Sequence, residues 1–352
     1  MACSAEPTGS QFTTSEFKYH PFNSPDAIRM LQLLAGEAGD PIHIRLSHHP
    51  LTDLPKCEAL SYTWGDEDRK QDIICAGKIL KATPNLLEVL RRLRHRMLES
   101  EHSGQTGLLW IDAICINQDD LAERRQQVEL MTDVYKNAKR VLVWIGEQPA
   151  TSTGTFDTIH LLDQTCRALK VEENENVDEM NSVPDTTVLT NGVWLEQLPE
   201  DPVWPSVLDV LASRTYFTRL WTVQEVALSD ESKTQVLCGS KSCPWLVFYN
   251  AVVLVQSCRV LRQTIAADKL AYLIRVVNLR SMQSVLRDNA LSMFNCVART
   301  EEQQSQVKVT RDRVFALLGM FLDHTQKSLS LLNYKTPVTE IFQTATAVMA
   351  LE

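Results

Sequence analysis

The sequence predicts an α/β fold, a parallel-sheet core with β-hairpins ahead of it and a mainly helical C-terminal extension. Three observations carry this. Residues 107–146 read strand, helix, strand at the length of a βαβ crossover. Residues 28–82 hold short segments of alternating polarity broken by Gly-containing loops. Beyond residue 250 the apolar spacing is helical. A chain of 352 residues fits one large domain with insertions or two smaller ones.

Taken in order, residues 1–24 are polar and Ser/Thr/Pro-rich and predict a loose arm. "IRMLQL" (28–33) and "PIHIRL" (41–46) flank "LAGEAGD" and predict a hairpin. "EALSYTW" (58–64) predicts a strand ending in the turn Gly65-Asp66, and "DIICAGKILKA" (72–82) a second hairpin. Thr83 and Pro84 supply an N-cap and a first-turn proline for a helix over 84–99. Its apolar face is Leu86, Leu90, Leu93 and Met97, which leaves the basic run "RRLRHR" (91–96) to a solvated outer face.

The central block is the most regular. "GLLWIDAICI" (107–116) is almost wholly apolar and predicts a strand buried on both faces. Asp120 and Glu123 form a capping box for a helix with Leu121, Val128, Met131, Tyr135 and Ala138 on one side. "RVLVWIG" (140–146) is the next buried strand. A helix over 153–170 carries Phe156, Ile159, Leu162, Cys166 and Leu169 inward, and residues 171–201, with "EENENVDEMNS", read as an acidic insertion. "PSVLDVLAS" (205–213) and "RLWTVQEVAL" (219–228) are helical, "TQVLCGSKSCPWLVF" (234–248) is a strand and turn before a helix, and a last helix starts near Pro337.

Composition excludes several classes. The net charge of −9 lacks the clustered Lys and Arg that a nucleic-acid footprint needs. No apolar run approaches the length of a membrane span, and the N-terminus has no basic start followed by an apolar stretch, so a cytoplasmic location is expected. The nine cysteines are scattered, without a CxxC pair, and read as reduced core residues; Cys238 and Cys243 alone are spaced to face each other across a hairpin. No metal set is indicated. GxGxxG, GxxxxGK[ST] and GxSxG are all absent.

Ligands of an open parallel sheet bind at the carboxyl ends of the strands. Tyr62, Trp64, Gly65 and Asp66 follow the first core strand; Asp112 lies in the second, with Asn117 and Gln118 after it; Trp144 and Gly146 close the third. Asp112 is a carboxylate within an apolar run, so it must find donors or titrate upward. It reads either as a ligand-binding group or as a buried acceptor for backbone N–H groups, Arg124 or Arg125. Trp64 reads as a stacking platform or as core. Glu225 follows Trp221 by four residues and shares its helix face, which suits an acid, a base or a cation stabiliser; the plainer reading is a solvent-facing carboxylate.

"EALSYTWGD" (58–66), "LWIDAICINQDDLAERRQQVELMTDVYKNAKRVLVWIGE" (109–147), "RLWTVQEVAL" (219–228) and "RDRVFALLG" (311–319) resemble the signature blocks of the fungal heterokaryon-incompatibility (HET) domain, in wording and in order. The resemblance covers residues 25–230, with 231–352 as a helical extension. It implies nonself recognition and cell death after fusion of incompatible cells, with protein partners of an incompatibility system and self-association. HET domains have also been related to TIR domains, which share a flavodoxin-like parallel sheet. Many TIR domains cleave NAD through a glutamate in a helix of the form W-C-x-x-E-L. Here Trp221 and Glu225 keep the spacing, while Thr222 replaces the cysteine and Val226 the leucine.

The resemblance therefore implies NAD as a substrate rather than a resident cofactor, with Glu225 at the ribose. Trp64 or Trp221 would stack on a ring, and Asp112, Asn117 and Gln118 would hold ribose or amide groups beside Tyr62, Gly65 and Asp66. Two other readings stand beside it: a non-catalytic signalling module acting through partners, and a domain that senses a nucleotide without cleaving it.

Overall fold

The first hairpin forms as its alternation requires. Strands β1 (Ala27–Leu33) and β2 (His43–Pro50) pair antiparallel, with Arg29 opposite His48 and Leu31 opposite Leu46. The computed structural model describes residues 15–68, 70–99, 107–148, 154–174, 204–263, 265–281 and 336–350. "RDRVFALLG" and most of the acidic insertion lie outside the described residues, and of Leu169 only the backbone is described.

The chain divides into two compact units, 1–57 with 64–120, and 58–63 with 121–352. In the first, β4 (Gln71–Cys75) and β5 (Lys78–Ala82) form the second hairpin through a turn at Ala76 and Gly77. β6 (Leu108–Trp110) pairs antiparallel with β1, giving the order β5-β4-β2-β1-β6. Helix α1 (Pro84–Glu99) starts as expected, with the Leu86 N–H donating to Thr83 Oγ1 at 3.3 Å. Its basic run is not wholly solvated. Arg94 is buried and donates to the carbonyls of Glu37, Asp40 and Pro41, so it ties α1 to the β1–β2 loop.

The expected strand over 107–116 is corrected. It stops at Trp110, and α2 (Asp112–Cys115) follows as a single turn. The reason is local. Asp112 Oδ1 accepts from its neighbour Ala113 N–H at 2.8 Å, and Ile111 O takes the N–H groups of both Ile114 and Cys115, so the backbone is satisfied without a ladder.

In the second unit, β3 (Glu58–Ser61), β7 (Arg140–Trp144) and β8 (Thr234–Cys238) run parallel, and β9 (Lys241–Pro244) closes the order β3-β7-β8-β9 antiparallel. Val141, Leu142 and Val143 are all buried, as in a parallel strand covered on both faces. The parallel core expected around residues 140–146 is present: β7 has β3 on one side and β8 on the other, both parallel to it. The architecture is mixed α/β, because each unit holds both antiparallel and parallel pairs, β2 with β4 being the parallel one in the first.

Helix α3 (Leu121–Asn137) buries Glu123, Gln127, Met131, Thr132, Val134 and Tyr135, whereas Leu121 is 52% exposed. The inward face thus starts one residue pair away from the expected stripe and is partly polar. Tyr135 Oη donates to Leu60 O on β3 at 3.0 Å, which locks α3 over the parallel strands. Helix α4 (Thr155–Asn174) turns Phe156, Ile159, Leu162 and Cys166 inward as expected and packs on α7 (Trp245–Ser257), whose apolar residues run all round. α5 (Trp204–Ala212), α6 (Trp221–Ala227), α8 (Arg259–Gln263), α9 (Ala267–Ser281) and α10 (Val338–Ala350) complete the described helices. Cys238 and Cys243 do not face each other. The register sets Cys238 opposite Lys241 and Cys243 opposite Val236, and both thiols are free. Among the described residues no helix is long and apolar enough to cross a membrane.

Candidate functional site

Trp64, Gly65, Asp66, Asp112, Asn117 and Gln118 belong to the first unit; Tyr62, Trp221 and Glu225 belong to the second. In the first unit Asp112 is the hub. Trp64 Nε1 donates to Asp112 Oδ2 at 2.9 Å, the Ala113 N–H donates to Oδ1, and Gln118 Nε2 donates to Asp112 O at 2.9 Å. The donors that its placement required include an indole and a backbone N–H. Arg125 pairs with Glu129 along α3.

Gly65 has φ +74°, and a Cβ there would stand 3.2 Å from Asn85 Cβ, so this turn excludes side chains on two counts. Asp66 Oδ1 accepts the Asp68 N–H at 3.1 Å in an exposed turn, and Asn117 O accepts the Asp120 N–H ahead of α3. Trp64, Asp112, Asn117 and Gln118 are all half-buried, and so partly open to solvent.

In the second unit the parallel strands end at Ser61, Trp144 and Cys238, and the segment leading into α6 is fastened there. Ser61 Oγ and Tyr216 Oη lie 2.7 Å apart, and Arg219 Nη1 donates to Tyr62 O at 3.0 Å. One turn earlier, Arg214 Nη2 donates to Glu147 O at 2.7 Å and meets Cys238 Sγ at 3.5 Å. Gly146, at φ +102°, gives Arg214 room: a Cβ there would stand 3.2 Å from its Nη1. Burial pushes the Cys238 thiol pKa up, the Arg214 cation opposes that, and Glu147 adds to it. Two guanidinium groups thus sit at the carboxyl ends of β3, β7 and β8, where a parallel sheet receives anionic ligands.

Helix α6 packs against α9, α3 and β3. Gln224 Nε2 donates to Thr132 Oγ1 at 2.9 Å, and Glu225 is 3% exposed while Trp221 is half-buried. The solvent-facing reading of Glu225 is thereby overturned. Sequence reasoning missed Arg214, Arg219 and Thr132, because each acts through a backbone carbonyl or a distant amide. The one available signal was two arginines bracketing an aromatic turn, "RTYFTR" (214–219).

Residues 58–225 match the family described as "Heterokaryon incompatibility protein (HET)". This segment is a HET domain. It is also similar to "Heterokaryon incompatibility protein 6, OR allele" of Neurospora crassa, 31% identical over 234 residues, covering 61% of this chain and 33% of that protein. The chain spans about a third of the length of this relative. No solved structure matches. The HET match opens at β3 and closes on Glu225, so it contains the ends of β3 and β7, both arginines and α6 as far as Glu225, but neither β8 nor the α9 helix against which α6 packs.

Proposed function

We propose that this HET domain is the effector part of a fungal incompatibility system and triggers cell death by hydrolysing NAD at the nicotinamide-ribose bond. The observation that carries the reading is Glu225, a carboxylate 3% exposed on a helix whose lead-in is hydrogen-bonded, through Arg219, to the carboxyl end of a parallel strand. In the reaction the C1′–N bond breaks and its electron pair leaves with neutral nicotinamide. Glu225 stabilises the oxocarbenium-like ribose through charge and its hydroxyls. Water adds to C1′ and releases a proton, giving ADP-ribose. The leaving group is already cationic, so no strong general acid is needed. Within the second unit Arg214 and Arg219 suit the pyrophosphate, and Tyr62 and Trp221 the rings; taken by itself, the first unit offers Trp64, Gly65, Asp66, Asp112, Asn117 and Gln118 as a polar surface for ribose or amide groups.

Because Glu225 is buried, substrate entry has to move the side chains over it, and turnover is expected in concentrated, self-associated samples. The test is nicotinamide release from NAD by wild type, Glu225→Gln and Glu225→Ala. Release by wild type and loss by at least 10²-fold in a folded Glu225→Gln supports the reading. Silence in an assembled wild-type sample sinks it.

A second reading is a non-catalytic module that kills through protein partners, favoured by the Gln224–Thr132 bond, which makes α6 a packing helix. Under it, Glu225→Gln keeps cell-killing activity in a fungal host.

A further inference from the structure

Residues 15–24 form no strand of their own, yet they are held at three places. The Phe17 N–H donates to Ile79 O at 2.7 Å and the Ile79 N–H to Ser15 O at 3.0 Å, a parallel bridge at the β5 edge. Tyr19 Oη donates to Ile114 O at 3.0 Å. The Tyr19 and Phe22 rings cover the Arg29 guanidinium at 4.7 and 4.4 Å, and its Nη2 donates to His20 O at 3.0 Å.

Arg29 is 1% exposed, so these contacts replace its water. Its other nitrogens reach outward from the segment. Nη1 donates to Cys115 O at 2.7 Å, and Nε donates to His48 Nε2 at 3.3 Å. A guanidinium only donates, so that imidazole nitrogen is the acceptor.

Two of these bonds therefore end on the last carbonyls of α2, at Ile114 and Cys115. A helix leaves its final carbonyls unsatisfied, and one of a single turn has no propagation to stabilise it. What satisfies those carbonyls decides whether α2 persists. Asp112 opens the same turn and holds Trp64 Nε1.

We propose that residues 15–24 are a latch that couples the β5 edge to Asp112. While the segment is seated, Tyr19 caps Ile114 O, and the ring pair fixes Arg29 on Cys115 O. When the segment leaves the β5 edge, both caps are withdrawn, α2 loosens and the Asp112–Trp64 bond goes with it. The consequence for ligand binding rests on Asp112 being part of the NAD-binding surface; the coupling itself does not.

Amide hydrogen exchange on the full chain tests the coupling apart from any activity. Phe17→Pro removes the N–H bonded to Ile79 O without touching α2. It is expected to speed exchange at Ile79 and, with it, at Ile114, Cys115 and Ile116, by about three- to ten-fold, the effect of losing one hydrogen bond. Tyr19→Phe keeps the ring over Arg29 and deletes one cap. It is expected to speed the α2 amides by a similar factor while the Ile79 amide and those of β8 are unchanged. Free Ile79 with unchanged α2 in Phe17→Pro overturns the latch, and so does unchanged α2 in Tyr19→Phe. Nicotinamide release measured beside it separates the two ideas, since a silent enzyme with coupled exchange refutes only the NAD reading.

Discussion

At the scale of single residues, the polar side chains that looked anomalous in the sequence have partners that explain them. Asp112 is the clearest case. Trp64→Phe keeps an aromatic ring, though a smaller one, and deletes the donor to Oδ2, and a half-buried carboxylate that loses a charge-assisted bond costs about 1–2 kcal/mol. The expected outcome is a lower urea midpoint with an unchanged slope, and Asp112→Asn, which retains an acceptor oxygen, should fall by less. A Trp64→Phe protein as stable as wild type would mean the bond contributes nothing. That Asp112 needed donors was legible from the apolar letters around it. Which donors it has was not, because the indole lies 48 positions away and tertiary hydrogen bonds leave no periodic trace. Glu225 shows the same limit. Its spacing from Trp221 was readable, but its burial comes from the packing of α6 on α3, β3 and α9, which no local pattern encodes.

At the scale of elements, short-range chemistry was the reliable guide. Hairpins announced by Gly-bearing loops and the helix announced by Thr83-Pro84 all form where the residues place them. The cap carries a prediction. Thr83→Ala removes the acceptor for the Leu86 N–H and is expected to cost about 0.5–2 kcal/mol, read as a lower thermal midpoint, while Thr83→Ser restores most of it. Equal midpoints for Ala and Ser would show that the cap is idle. Where the reading failed, hydrophobicity alone was asked to choose a conformation. "LLWIDAIC" (108–115) is apolar enough for a strand, yet an aspartate inside it supplies its own backbone acceptor and turns the chain into α2. Leu121 fails for a related reason, since the helix rotates to bury Glu123 and Gln127 and leaves the leucine outside.

At the scale of the molecule, a parallel core was legible from the doubly buried strand β7 and the crossover leading into it; that β3 and β8 are its neighbours was not, because strand order depends on long-range pairing. Burial of the thiols, by contrast, has a consequence that sums over the whole chain. Desolvation pushes Cys75 up to about 11, and Cys115 and Cys243 to about 12; Arg29 and a backbone hydrogen bond partly oppose it at Cys75 and Cys115, while Asp163 adds to it at Cys243. Each native thiol therefore keeps its proton in a range where the unfolded thiol, at about 9, has released it. The unfolded state then binds fewer protons than the native state, so the derivative of unfolding free energy with pH is negative from about pH 9 to 11 or 12. Stability is intact below pH 9 and declines above it. Urea midpoints measured from pH 8 to 10.5 should fall, and Cys115→Ala with Cys243→Ala should flatten the fall relative to wild type, whatever their own cost at pH 8. A fall of equal steepness in the double variant would assign the alkaline loss to other groups.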